Sequence, residues 1–196
     1  SWEQTIQSII NLSSELSKFI EKGDRCLLIS ENRPEWFIVD FSIMLSNGVT
    51  VPAYTTYVEK DYEYILNDCK PSVIFVSNTE QFNKLKNIIK NKKIIKKIFS
   101  FEKLQNSEIE YINLDHLTNT INRKKLILHK SLALRKDPSC IIYTSGTQGN
   151  PKGVILSHGG ILSNCEGAVE LLKTLTRKKD PIFLTWLPLS HSYEHT

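Results

Sequence analysis

The interpretation of this chain begins with one stretch, Cys140-Ile141-Ile142-Tyr143-Thr144-Ser145-Gly146-Thr147-Gln148-Gly149-Asn150-Pro151-Lys152-Gly153-Val154. An apolar run leads into a polar loop with glycines, hydroxyl side chains and one lysine, and a second apolar run follows. Glycines let consecutive backbone N–H groups turn towards an anion, hydroxyls add donors, and lysine adds a mobile positive charge. Pro151 stiffens the loop just before Lys152. The stretch therefore predicts a loop that binds a polyphosphate.

The spacing of this stretch excludes three other glycine-loop motifs. A Walker A loop requires G-x-x-x-x-G-K-[ST], whereas Lys152 follows a proline and precedes a glycine. A dinucleotide fingerprint requires G-x-G-x-x-G, and Gly146 and Gly149 have no partner at that spacing. A nucleophile elbow requires a glycine two positions before the serine, which Ser145 lacks. An ordinary turn between two strands is the simpler alternative, and the ordered set of glycines, hydroxyls and lysine counts against it.

Residues 143–154 resemble the phosphate-binding signature of the adenylate-forming superfamily, which includes acyl-CoA synthetases, luciferases and peptide-synthetase adenylation domains. The superfamily pattern usually has threonine at the position of Gln148, whose amide can still donate to a phosphate oxygen. Residues 23–36 are similar to an early segment of long-chain acyl-CoA synthetases, and residues 187–194 resemble their next motif after the phosphate loop. The resemblance covers nearly the whole chain and is weakest at residues 84–136.

The resemblance implies a set of site residues. ATP would be bound through Thr144, Ser145, Gly146, Thr147, Gln148, Gly149 and Lys152. Thr144 would also help to hold Mg²⁺, together with a glutamate from beyond residue 196. His191, Tyr193 and Glu194 would border the pocket for the acyl group and the adenylate, with His191 as a catalytic residue. The small-molecule partners implied are a fatty acid, ATP and coenzyme A, with Mg²⁺ as the metal.

The activity implied is that of an AMP-forming long-chain fatty-acid–CoA ligase. In such an enzyme a carboxylate attacks the α-phosphorus of ATP to give an acyl-adenylate and pyrophosphate, and the thiol of coenzyme A then displaces AMP. We expect residues 1–196 to form a single truncated fragment of the N-terminal adenylation domain, inactive without the C-terminal part of the enzyme. A nucleotide-binding fragment without catalysis is the alternative. The length of the acyl chain and the oligomeric state are left open.

A zinc hydrolase is a weaker alternative. His191, Glu194 and His195 fit the pattern H-x-x-E-H of some zinc peptidases. That site requires a helix that places both histidines on one face, and a further acidic ligand downstream. Here the pattern comes directly after an apolar run and Leu187-Pro188-Leu189-Ser190. His191 could also be a structural histidine that hydrogen-bonds a loop carbonyl.

Composition narrows the class of protein. The 196 residues are 40% hydrophobic and 23% charged, with a net charge of +4, which fits an ordinary domain with its own core. Seven lysines lie between Lys84 and Lys97, and no aromatic residue interrupts them. This favours a solvated helix and argues against a platform for nucleic acid. Without a signal peptide or an apolar run near eighteen residues, we expect a cytoplasmic protein, with peripheral membrane contact left open.

The periodicity of apolar residues predicts the fold class. Predicted helices cover residues 1–20, 34–45, 60–67, 81–90 and 161–172, with a short one near 117–121. Predicted strands cover residues 26–29, 49–53, 72–76, 94–99 and 182–187, and another begins at residue 139. Short, wholly apolar strands that alternate with helices are typical of an α/β fold with a doubly wound, mainly parallel sheet and helices on both faces. This would be part of the large N-terminal domain of an adenylate-forming enzyme.

Three smaller predictions concern the cysteines, the start of the second helix and the last residues of the chain. Cys26 and Cys140 lie within apolar runs, and the cysteines form no C-x-x-C pair, so we expect core thiols in a reducing compartment. Residues 32–36 are interpreted as the capped start of a helix anchored by Trp36, and not as site residues. Residues 190–196 are expected where ligands gather, past the carboxyl end of a strand.

Overall fold

The computed structural model describes residues 1–90, 92–114, 133–144, 151–175 and 184–191, and within these ranges helices and strands alternate. The strands are β1 (Arg25–Ile29), β2 (Val49–Ala53), β3 (Val73–Val76), β4 (Lys97–Ser100), β5 (Ile112–Asn113), β6 (Pro138–Thr144) and β7 (Lys152–Ser157). The helices are α1 (Trp2–Leu16), α2 (Pro34–Leu45), α3 (Glu59–Cys69), α4 (Thr79–Ile89) and α5 (His158–Leu175). The predicted α/β class is confirmed.

The described strands form one sheet in the order β5-β4-β3-β1-β2-β6-β7. All neighbouring pairs are parallel except β6 and β7, which are antiparallel. The chain runs from β1 to β2 on one side and then returns to place β3 on the other side of β1. Such a reversal is a topological switch point, and ligands in open α/β sheets bind beyond the carboxyl ends of the strands beside it.

Both faces of the sheet are covered by helices, as the wholly apolar strands predict. Leu27 and Ile29 of β1 belong to a core cluster that includes residues of α3 and α4, such as Tyr62. Cys26 and Leu28 of the same strand belong to a second cluster, which includes residues of α1 and α2. Successive side chains of a strand point to opposite faces, so each face has its own core. The prediction that Cys26 and Cys140 are core residues is confirmed, since neither is exposed to solvent.

The start of α2 shows why the segment after β1 is well fixed. Pro34 occupies the first turn of the helix, where its fixed φ and missing N–H cost nothing. Trp36 is 1% exposed and packs in the core, which confirms the predicted aromatic anchor. The residue that caps the helix is Arg33, whose side chain makes no capping hydrogen bond, so the predicted side-chain cap is absent.

Three predicted segments differ from the structure or lie outside it. The strand predicted at residues 94–99 begins only at Lys97, because residues 92–95 form a turn in which the Ile95 N–H donates to the Lys92 carbonyl. The strand predicted at residues 182–187 is wrong for the described part, since residues 184–187 belong to no strand. The short helix predicted near residues 117–121 lies outside the described residues. In the described part of the chain, no helix is both long and apolar enough to cross a membrane.

Candidate functional site

The glycine-rich stretch connects the two antiparallel strands at the edge of the sheet. Thr144 is the last residue of β6 and Lys152 is the first of β7, and the two are paired directly opposite each other. Both side chains are exposed. The hairpin therefore brings a hydroxyl and an ammonium group together at the mouth of the loop. The predicted ligand-binding residues Ser145, Gly146, Thr147, Gln148 and Gly149 lie outside the described residues.

Tyr143 fixes the strand that leads into this loop. Its hydroxyl donates to a carboxylate oxygen of Asp68 near the end of α3, and its ring meets the ring of Tyr64 edge-on at a centroid distance of 6.4 Å. The Tyr143 side chain is 3% exposed. Burial, together with the neighbouring Asp68, raises the pKa of the Tyr143 phenol well above its usual range. The phenol therefore stays protonated and keeps donating to Asp68 near neutral pH.

Gly153 has a packing reason to be glycine. It pairs with Tyr143 across the hairpin. A Cβ atom at this position would lie 2.9 Å from the Ile141 Cγ2 atom and 3.3 Å from the Tyr143 Cζ atom. Distances this short are tighter than ordinary van der Waals contact, so any larger residue would push these side chains away. Glycine at this position lets the Tyr143 ring lie across the neighbouring strand.

Polar side chains gather at the carboxyl ends of the parallel strands. Glu31 follows β1 and accepts hydrogen bonds from the side chains of Asn78 and Gln81, at 3.4 and 3.1 Å. Partial burial raises the pKa of Glu31, but the hydrogen bonds that it accepts outweigh this and hold the pKa below its usual range. Glu31 is therefore ionised near neutral pH and ties the end of β1 to the start of α4.

The segment that carries His191 lies against this same edge. The Asn32 side chain donates through Nδ2 to the Leu187 carbonyl at 2.7 Å and accepts through Oδ1 from the Leu189 N–H at 2.8 Å. Here a side chain pairs with the backbone of residues 187–189, and residues 184–187 belong to no strand. The His191 N–H donates to the Pro188 carbonyl at 2.8 Å, and the imidazole is half-buried. Tyr193, Glu194 and His195 lie outside the described residues.

A groove of about 280 Å³ separates this segment from the ends of β1 and β2. Its lining combines a carboxylate, hydroxyl groups and two aromatic rings, from Ser30, Glu31, Asn32, Tyr54, Thr55, Thr56, Trp186, Pro188 and Ser190. The interpretation of residues 32–36 as a helix start does not predict the contacts of Asn32 with residues 187–189. The signal that could have found it is its position directly after a buried strand, within a segment that resembles the synthetases.

The chemistry of the hairpin mouth fits the groups that the sequence predicts there. A threonine hydroxyl suits Mg²⁺, and a hydroxyl with an ammonium group suits phosphate oxygens. In residues 1–90, 92–114, 133–144, 151–175 and 184–191, no three histidine, cysteine or acidic side chains come together as a metal site. Thr144 would thus be one ligand among others supplied by the nucleotide, by water or by other parts of the protein.

Comparison with known proteins gives the family. The AMP-binding enzyme family matches residues 1–196. The chain belongs to the AMP-binding enzyme family. This confirms the resemblance to adenylate-forming enzymes. The chain is 30% identical over 179 residues to the long-chain-fatty-acid–CoA ligase FadD15 of Mycobacterium tuberculosis, covering 90% of this chain and 29% of that protein. It is 32% identical over 206 residues to long chain acyl-CoA synthetase 3 of Arabidopsis thaliana, covering 97% of this chain and 31% of that protein.

Two solved structures share the fold of this chain. Apo MatB from Rhodopseudomonas palustris matches with a TM-score of 0.80 at 19% identity, over 100% of this chain and 36% of that chain. The anthranilate CoA ligase AuaEII in complex with anthranoyl-AMP matches with a TM-score of 0.65 at 25% identity, over 79% of this chain and 28% of that chain. The doubly wound fold is thereby confirmed. The chain spans about three-tenths of the length of the first curated relatives that it matches.

Proposed function

We propose that this AMP-binding chain is part of the N-terminal domain of a long-chain fatty-acid–CoA ligase. That enzyme would activate a fatty acid with ATP to an acyl-adenylate and transfer the acyl group to coenzyme A. The observation that carries the proposal is the pairing of Thr144 with Lys152 at the mouth of the glycine-rich hairpin. The names of the relatives at about 30% identity support a long-chain fatty acid as the substrate class.

The hairpin would act by neutralising charge. The Lys152 ammonium group and the Thr144 hydroxyl are exposed on the same side of the loop mouth, where phosphate oxygens of ATP can reach both. As the fatty-acid carboxylate attacks the α-phosphorus, negative charge grows on the leaving pyrophosphate. Groups that are already in place to stabilise that charge lower the barrier without reorganising. Mg²⁺, which Thr144 would help to hold, supplies further neutralisation of the phosphates when bound.

His191 would act on the acyl side of the same reaction. Its backbone is fixed by the turn at Pro188, and its imidazole is half-buried beside the carboxyl edge of the sheet. A neutral imidazole in this place can donate a hydrogen bond to the fatty-acid carboxylate or to the adenylate. It can also open or close the acyl tunnel by a change of rotamer. Tyr193 and Glu194 would complete this pocket.

Exchange of pyrophosphate into ATP tests the proposal in the full-length enzyme. Lys152→Ala should weaken stabilisation of the transition state by on the order of 2–4 kcal/mol, the range for one electrostatic group aimed at developing charge. Lys173→Ala is the matched control, because Lys173 is an exposed lysine on α5 whose ammonium pairs with Glu170 of the same helix. Fatty-acid-dependent exchange at the wild-type rate in Lys152→Ala would contradict the proposed role of the hairpin.

A second measurement separates the ligase from a nucleotide-binding fragment without catalysis. The full-length enzyme should form acyl-CoA from a long-chain fatty acid, ATP and coenzyme A. The 196-residue chain alone should form none, because the proposed ligase needs further groups to close its site. Thioester synthesis by the purified 196-residue chain would show that the catalytic groups all lie within it.

A further inference from the structure

We infer that Asn32 is a positioning residue for His191. The Asn32 amide holds the backbone of residues 187–189, and this backbone leads directly into the turn that carries the imidazole. The inference rests on the proposed role of His191 in adenylate formation. It adds a residue that lies far away in the sequence and acts on His191 through the backbone of residues 187–189.

The contact between Asn32 and this segment uses both ends of the amide. Nδ2 donates to the Leu187 carbonyl and Oδ1 accepts from the Leu189 N–H, at 2.7 and 2.8 Å. A primary amide presents a donor and an acceptor in one plane, as a backbone peptide does. Asn32 therefore pairs with the segment as a strand would. Aspartate at this position would keep the acceptor and lose the donor, and alanine would lose both.

The residues on either side of Asn32 keep its amide in place. Glu31 is held by Asn78 and Gln81, as described above. Arg33 pairs with Glu35 at 3.0 Å and with Glu102 at 2.7 Å. The backbone that carries Asn32 is thus fixed to α4 on one side and to the start of α2 on the other. Because the backbone of Asn32 is held in this way, its amide can fix the position of residues 187–189.

The partner segment passes this constraint on to His191. Leu189 is 6% exposed and packs in the core cluster that contains Trp36. Ser190 is also buried, at 4% exposure, and the His191 N–H closes the turn on Pro188. Only Ser190 lies between Leu189, whose N–H is bound by the Asn32 amide, and His191. Loss of the Asn32 contacts should therefore let the imidazole change its position. The packing of Leu189 in the core should still keep the segment near the sheet.

A double-mutant cycle in the full-length enzyme tests this inference. With His191 present, Asn32→Ala should lower fatty-acid-dependent ATP–pyrophosphate exchange by roughly 10- to 100-fold, the range for a misplaced catalytic group. With His191→Ala already in place, the same change should cost less than about twofold, because coupled residues are not additive. Asn32→Asp should lose about as much as Asn32→Ala, since it keeps the acceptor for the Leu189 N–H but sets a carboxylate oxygen against the Leu187 carbonyl.

The outcomes distinguish failure of the inference from failure of the proposed function. Equal losses from Asn32→Ala in both backgrounds, or no loss in either, would overturn the positioning role while leaving the ligase proposal intact. A wild-type rate for His191→Ala would remove the role of His191 and this inference with it. Asn32 is exposed, so water can solvate the groups left behind and we expect the alanine variant to fold. If it does not, Asn32→Asp takes its place in the cycle.

Hydrogen exchange supplies a readout that is independent of activity. The Leu189 amide should exchange faster in Asn32→Ala than in wild type, because it loses its acceptor. The matched control is Asn83→Ala, which removes an exposed asparagine side chain on α4 and leaves the Asn32 amide and the residues on either side of it intact. Faster exchange at Leu189 in both variants would indicate general loosening of this edge and would overturn the specific role of Asn32.

Discussion

The parallel part of the sheet and its antiparallel edge differ in how fully they are buried. Every residue of β2 and β3 is buried, whereas the first four residues of β7 are all exposed, including Val154 at 43% and Ile155 at 63%. Buried apolar area is the main source of folding free energy. The parallel part therefore provides most of the stability, and the edge presents the residues that we propose bind ATP. Mutations in the two regions should have separable effects.

The largest difference in unfolding free energy is expected between alanine substitutions of two apolar residues. One lies in the parallel part of the sheet and the other at its antiparallel edge. Phe75 of β3 is fully buried and stacks on Phe99 with ring centroids 5.0 Å apart, so Phe75→Ala should cost about 3–5 kcal/mol of unfolding free energy. Ile155→Ala on β7 should change it by less than about 0.5 kcal/mol. Urea unfolding of both variants measures the contrast. Similar losses would mean that β7 is as well packed as the interior of the sheet.

A smaller effect is expected at Gly153, where β7 packs tightly against β6. Gly153→Ala should cost about 1–3 kcal/mol, because its Cβ atom would press on Ile141 and on the Tyr143 ring. Gly167→Ala on α5 is the matched control, because a Cβ atom there meets nothing within 4 Å. Thermal unfolding of both variants tests this. A Gly153→Ala protein as stable as wild type would show that the hairpin adjusts freely and that Tyr143 does not fix it.

The smallest effect on stability is expected from removal of the Tyr143 hydroxyl, which links β6 to α3. Tyr143→Phe removes the hydrogen bond to Asp68 and keeps the ring, so it should cost about 1 kcal/mol near neutral pH. The sign of the pH dependence follows from the raised pKa of Tyr143 in the folded protein. The stability that this residue gives is present in full below the unfolded pKa of about 10, and is lost as the pH rises from there towards the folded pKa.

Melting temperatures between pH 8 and pH 11 check this sign. Burial also raises the pKa values of Tyr54, Tyr57 and Tyr62, so the wild-type protein should lose stability above pH 10 for several reasons. The informative quantity is the difference between wild type and Tyr143→Phe, which should shrink at alkaline pH. A constant difference across this range would mean that Tyr143 does not titrate differently in the folded and unfolded states.

The sequence was a sufficient guide where local pattern determines structure. Strands such as β2 and β3 were predicted because wholly apolar runs between helices are typical of a covered parallel sheet. The strand predicted at residues 182–187 was wrong over its described part because an apolar run does not reveal what pairs with its backbone. At Leu187 the backbone carbonyl pairs with the Asn32 side chain, 155 residues away along the chain.

The candidate site was predictable only in part for the same reason. The order of glycines, hydroxyls and lysine pointed to the loop, and the structure adds that Thr144 and Lys152 face each other across a hairpin. Gly153 was grouped with the other loop glycines, yet its contacts with Tyr143 and Ile141 show a packing requirement. Contacts of this kind depend on the register of two strands, which a single sequence does not specify when no short turn fixes it.

The distance in sequence between Asn32 and Leu187 also sets an order of events during synthesis. At about 5–20 residues per second, a ribosome needs about 8–30 s to make the 155 residues between them. β1 is made before Asn32, and the strands from β2 to β7 are made in that interval, so the sheet can form first. Asn32 therefore stays exposed to water at the edge of the sheet until the segment that carries His191 has been synthesised. The nascent chain would be folded before its proposed site is complete.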